Sequence, residues 1–101
     1  MSTTDTPNAP ANGGHTPIYA AASGGYVNIV QLLMSTTDTP NAPNNNGWTP
    51  LYSAASSGHF DIVQLLMSTT DTPNAPDNNG CTPIMIAQLN NDEEIVKILS
   101  S

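Results

Sequence analysis

His15, Trp48 and Cys81 stand 33 residues apart, each two residues ahead of a Pro. An imidazole and a thiol could share a metal ion, or act as base and nucleophile, if the fold brought them together. They occupy the same register in units two apart, however. Packed helices lie about 8–10 Å from one another, so the separation approaches roughly 20 Å. A shared ion requires ligands about 2 Å from the metal, so this pair is not a metal site. His59 has Tyr26 and Asp92 as its counterparts, which cannot do acid–base work as a set. The run Asp92-Glu93-Glu94 reads as a solvated, dipole-favoured helix start rather than a carboxylate dyad. No glycine-rich phosphate loop or metal-spaced cluster exists in the sequence. We therefore expect no enzyme and no cofactor.

Composition narrows the remaining classes. Lys and Arg together number 1 against 8 Asp and Glu, for a net charge of −7, yet charged residues make up only 9% of the 101 positions. Typical domains carry about 25%. The surface must therefore be built from Ser, Thr and Asn. With Lys97 the sole cation, binding to nucleic acid by counterion release is excluded, and so is docking to anionic lipid. Cys81 has no partner for an internal disulfide. No apolar run reaches the roughly 18–20 residues of a membrane span, and Met1 opens no basic-then-apolar leader. The expected compartment is cytoplasmic; secretion would require a leader already removed.

The elements that position these residues repeat. MSTTDTPNAP occupies 1–10, 34–43 and 67–76 without a changed letter, and the fifteen residues Ile29 to Pro43 recur at Ile62 to Pro76. Thr-Pro recurs at 16–17, 49–50 and 82–83, and Ile-Val at 29–30, 62–63 and 95–96. A fixed period of this size signals stacked supersecondary units sharing one core. Within a unit, NNNGWTPLYSAASSGHFDIVQLLM reads as turn, helix, turn, helix. Asn46-Gly47 makes the tight turn. Thr49 caps a first helix that starts at Pro50. Leu51, Ala54 and Ala55 share one face, and Gly58 ends the helix in a left-handed conformation. Asn91, which stands in its place in the last unit, is the next-best residue for positive φ. A second helix carries Ile62, Val63, Leu65 and Leu66 at helical spacing. Both helices are too short to persist alone, so stacking must stabilise them.

A unit of the form N-G-x-T-P-L-x-x-A-A-x-x-G-H-x-x-x-V-x-L-L resembles an ankyrin repeat. The resemblance covers residues 11–43 and 44–76 fully and 77–101 as a shortened last unit, with 1–10 as a leader in repeat phase. It implies one all-α domain over 1–101: an ankyrin-repeat solenoid of helix-turn-helix units joined by β-turn or hairpin loops. It also makes His59 a structural hydrogen-bonding residue. Two departures stand out. The family's His after T-P-L is replaced by Tyr19, Tyr52 and Met85. Where the family ends its second helix on x-G-A-D, this chain has Thr36-Thr37-Asp38-Thr39 and Thr69-Thr70-Asp71-Thr72, with a β-branched residue in the glycine's place. The helix is expected to end differently, with the Ser35 and Thr36 hydroxyls taking up its free carbonyls.

Three functional surfaces follow. In the family, the turn tips and first helices form the partner-binding face, here His15, Trp48, Asn45, Asn46, Ser56 and Ser57. His15, Trp48 and Cys81 read as a column of exposed, variable side chains within that face, with Trp48 as its anchor, serving a protein partner whose identity the sequence does not name. The identical copies suggest a second surface. Thr4 with Thr6, Thr37 with Thr39 and Thr70 with Thr72 form a Thr-x-Thr column, similar to the threonine faces of ice-binding, antifreeze-type proteins that order water. The third reading is an engineered or recently duplicated consensus scaffold without a natural ligand. The first unit is hardly distinguished from the second, so its outer face depends on residues 1–10 for cover. Weak end-to-end self-association is expected where that cover is lost.

Overall fold

Each unit is organised from its Thr-Pro pair. In a computed structural model, which describes residues 14–100, Thr16, Thr49 and Thr82 sit in extended backbone at helix N-caps. Their Oγ1 atoms accept the backbone N–H of Tyr19, Tyr52 and Met85 at 3.2, 3.0 and 3.2 Å. The capping bond thus reaches the main chain of the residue that replaces the family's His. Pro17, Pro50 and Pro83 occupy the first helical positions, where a missing N–H leaves no bond unmade. The helices they start are α1 (Pro17–Gly24), α3 (Pro50–Ser57) and α5 (Pro83–Leu89).

Gly25 and Gly58 close α1 and α3 with φ of 82° and 79°. In the third unit Asn91 takes this role at φ 58°, the one positive φ outside glycine among the described residues. The second helices follow directly as α2 (Val27–Met34), α4 (Phe60–Met67) and α6 (Glu93–Leu99). Asp92 caps α6 by accepting the Ile95 N–H at 3.3 Å. Glu93 and Glu94 occupy its first turn, where negative charge opposes the helix dipole favourably.

The helices form two rows. α1, α3 and α5 pack side by side in one, α2, α4 and α6 in the other, and each helix also packs on its partner within the unit. The described residues contain six helices and no strand. Leu51, Ala54, Ala55, Val63 and Leu66 are wholly buried, and Ile62 is nearly so. The alanines let adjacent first helices approach closely, while the branched residues fill the space between rows.

Burial changes along the array at constant sequence. Ile62 and Ile95 are 1% and 0% exposed, yet Ile29 at the same register is 47% exposed. α4 and α6 each pack on the second helix of the preceding unit, whereas α2 is the first second-row helix among the described residues. On the other side of the described array, Leu89 of α5 is likewise exposed. Residues 1–10, expected to cover the first unit, lie outside the described residues.

The second helices end without glycine. Ser35 and Ser68 stay right-handed, and their hydroxyls donate to the carbonyls of Leu32 and Leu65, both at 2.7 Å. Thr36 and Thr69 donate to the carbonyls of Leu33 and Leu66 at 2.9 and 2.6 Å. The free carbonyls are therefore taken up by side chains, and no residue is driven into strained backbone. No described helix is long and apolar enough to cross a membrane.

Candidate partner-binding face

The turn tips are built on one residue per unit, Asn44 and Asp77. Asn44 Oδ1 accepts the N–H groups of Asn46 and Trp48 at 2.8 and 2.9 Å. Asp77 Oδ1 does the same for Asn79 and Cys81, also at 2.8 and 2.9 Å. Backbone bonds complete each turn: Gly47 N–H to the Asn44 carbonyl, and Gly80 N–H to the Asp77 carbonyl, both at 3.0 Å. Gly47 and Gly80 have φ of 82°, which the turn requires.

The same two side chains reach back to the preceding unit. Asp77 Oδ2 accepts the Trp48 indole N–H at 2.8 Å. Asn44 Nδ2 lies 3.1 Å from His15 Nδ1. Because the Asn44 oxygen is engaged by main-chain N–H groups, its amide nitrogen donates, and neutral His15 carries its proton on Nε2. The N–H of Cys81, a strong donor in a fixed turn, holds the Asp77 carboxyl below its usual range, with further help from Trp48 and Asn79.

This geometry corrects one expectation. His15, Trp48 and Cys81 are not a freely exposed column; all three are half-buried. His15 and Trp48 are each bonded to the loop of the following unit. Both rings also stack within their own unit, His15 on Tyr19 with centroids 4.5 Å apart, Trp48 on Tyr52 at 5.8 Å and 3° between planes. Cys81, in the last unit, receives the Tyr52 hydroxyl on Sγ at 3.6 Å. Burial, reinforced by that bond, pushes the Tyr52 phenol well above its ordinary value. The described residues contain no cluster of His, Cys, Asp and Glu that could hold a metal.

Trp48, Ser56 and Ser57 share one groove of about 300 Å³, lined also by Tyr19, Ser23, Tyr52, Ser53 and Ile86. Asn45 and Asn46 are exposed at the turn tip, outside this groove, and their carbonyls accept from Asn78 Nδ2 at 2.8 Å and Asn78 N–H at 3.0 Å. His15 reaches the groove only through its stack on Tyr19. Sequence reasoning missed Asn44, Asp77 and the tyrosines. The signal for the first two was a side-chain acceptor three residues before each turn glycine, Asn44 before Gly47 and Asp77 before Gly80.

The threonine column has a different character. Thr37 Oγ1 accepts the Thr39 N–H at 3.1 Å and lies 3.5 Å from Thr39 Oγ1. Thr70 and Thr72 repeat this at 3.0 and 3.3 Å. Each pair is thus a hydroxyl-capped turn engaged with its own loop. Thr39, Thr70 and Thr72 line a second groove, of about 610 Å³, between consecutive connectors. Thr4 and Thr6 lie outside the described residues. Further along the copied segment, Asn41 Oδ1 accepts the Leu51 N–H at 3.1 Å, and Asn74 Oδ1 that of Ile84 at 3.2 Å. The connector therefore caps one helix with Ser and Thr, turns on Thr, and caps the next helix with Asn.

Paired helices in two rows, joined by turn tips bonded unit to unit, match one family in particular. The family model described as ankyrin repeats (3 copies) matches residues 3–77 and 39–101. The chain belongs to the ankyrin-repeat family. Ankyrin repeats are in general protein–protein interaction modules rather than catalysts. No curated protein matches the chain. Within this ankyrin domain, His59 behaves as the family implies, its Nε2 lying 3.2 Å from the Ser23 carbonyl at the end of α1. Asn90 does the equivalent for the end of α3, donating to the Ser56 carbonyl at 2.9 Å.

Proposed function

We propose that the chain is a non-catalytic binding module that engages a protein partner across its turn tips and first helices, with Trp48 at the centre. The observation that carries this reading is the shared groove: Trp48, Ser56 and Ser57 meet there with Tyr19 and Tyr52. Aromatic side chains held rigid by stacking and hydrogen bonds supply contact area at low entropic cost, which is the character of interface anchors. The threonine column is less favoured as a ligand surface, because each first threonine of a pair already caps its own loop.

Site-specific photo-crosslinking tests the reading. A crosslinker at Ser57, on the groove, should capture the partner, and one at Gln64, exposed on the second-helix row, should not. Trp48→Ala should abolish the Ser57 product. Capture from Gln64 alone, unaffected by Trp48→Ala, would move the interface to the other row.

A further inference from the structure

We propose that the Trp48 groove receives an arginine side chain of the partner, a reading that rests on this face being the binding face. Three π-systems bound the groove: Tyr19 from the first unit, Trp48 and Tyr52 from the second. Trp48 and Tyr52 stack on each other, 3° from parallel with centroids 5.8 Å apart, so the flat wall open to a ligand is the indole face turned away from Tyr52. The aliphatic contribution is small, with Ile86 the one aliphatic side chain of leucine size or larger in the lining. Ser23, Ser53, Ser56 and Ser57 add hydroxyls instead. An oily anchor such as Leu or Phe would leave those hydroxyls without partners, whereas a cationic donor group satisfies them.

Charge points the same way. The chain carries −7 overall, and its single cation, Lys97, sits on α6 in the other row of helices. Nothing positive in the groove competes with an incoming cation. The Asp77 carboxylate accepts the indole N–H of Trp48 at 2.8 Å. That bond draws the proton-bearing edge towards negative charge and leaves the ring face richer in electron density, strengthening its attraction for a cation. Tryptophan is already the best aromatic partner for a cation. Between the two cationic side chains the walls select arginine. A guanidinium is planar, stacks on an aromatic face, is weakly hydrated, and directs several N–H donors sideways towards hydroxyls. A lysine ammonium is compact and strongly hydrated, and fits flat walls poorly.

Trp48 is the only tryptophan, so the groove reports on itself. Short capped peptides with arginine at the centre and uncharged, randomised flanks are titrated against the intact chain while Trp48 fluorescence is read. Matched peptides carry citrulline, which keeps the shape and removes the charge. We expect a saturable change with arginine peptides and about a three- to thirtyfold loss of affinity with citrulline, the range a single cation–π contact supports. Asp77→Asn removes the acceptor that anchors the indole, so both peptide series should weaken, arginine peptides by the larger factor. This variant keeps the turn, because Asn44 makes the same two backbone acceptances one unit earlier.

Equal affinity for arginine and citrulline peptides, both perturbing Trp48, overturns the cation reading while leaving the face as the binding face. No saturable change with any arginine peptide up to roughly 1 mM, the weak limit of specific recognition, overturns the proposal as well. If the partner then crosslinks only from the second-helix row, the assignment of the face falls with it.

Discussion

Replacing Asn44 by Ala removes three bonds from one side chain while leaving the hydrophobic core untouched. Two of them are acceptances from the N–H groups of Asn46 and Trp48, and the third runs to His15 in the preceding unit. Intramolecular hydrogen bonds contribute about 0.5–1.5 kcal/mol each, more where a buried donor is left unmet. Asn46 is exposed, so its N–H regains water, and we assign it about 0.5 kcal/mol; the bond to His15 receives the same. The Trp48 N–H is half-buried beside its own ring and has less access to solvent, so its loss is set at about 1 kcal/mol. The sum is about 2 kcal/mol. For a chain of this size that lowers the melting temperature by roughly 8–16 °C. Equilibrium urea unfolding followed by Trp48 fluorescence and by far-ultraviolet circular dichroism measures it, and the slope with denaturant should not change. Asn44→Asp is the control: it keeps both backbone acceptances, as Asp77 does in the next unit, and should cost less than half as much. A loss under about 0.5 kcal/mol for Asn44→Ala, or equal losses for Ala and Asp, would refute the argument that this side chain holds the turn.

Two further tests concern backbone and charge. Gly25→Ala and Gly58→Ala both force a Cβ onto backbone with φ near 80°, at about 1–2 kcal/mol of strain. At Gly58 the nearest atom to that Cβ is Asp92 Oδ2 at 3.5 Å, an ordinary contact, whereas at Gly25 the His59 ring stands within 2.7–3.1 Å. Thermal melts should therefore show Gly25→Ala as the more damaging, because His59 must give up its bond to the Ser23 carbonyl. The second test is acid titration. The Asp77 carboxyl titrates lower in the folded chain than its ordinary value of 3.8. Its stabilising contribution is therefore complete above about pH 4 and is lost as pH falls through the folded value. Asp77→Asn should flatten the stability profile below about pH 4 and leave it parallel to the parent at neutral pH, as read by urea midpoints across pH.

Much of this architecture was legible in the residues because it is local. Thr-Pro pairs, a glycine one turn past the alanines, and an Ile-Val/Leu-Leu face each dictate structure within one unit, and the period says how the units stack. The helix ends on Ser35 and Thr36 followed from the same local chemistry, since a hydroxyl near a helix terminus has few other acceptors. The groove was only partly legible. The family resemblance assigns Trp48, Ser56 and Ser57 to one face, but on it Tyr19 and Tyr52 read as departures from a family histidine rather than as walls. The bond from Asp77 to Trp48 spans 29 residues, a separation at which the period alone does not say which atoms meet. Trp48 therefore read as an exposed tip when it is tied to the next loop. The copied connector is explained by position: Ser35, Thr36, Thr37 and Asn41 each hold a bond to nearby backbone, so substitution at any of the four would release a helix end or a turn.

The bonds between turn tips also have a direction. Each tip is held by the unit that follows it: His15 by Asn44, Trp48 by Asp77. The last unit is the shortest, its tip at Cys81 meets no described successor, and it contributes both Asp77 and the Ile86 wall of the groove. Fraying that begins at this end would release the indole before it disturbed the buried Leu51 or Ala55 beneath. With the groove as the proposed binding face, recognition would depend on the stability of the third unit, and a substitution in α6 would be read out as lost affinity while most of the array remained folded.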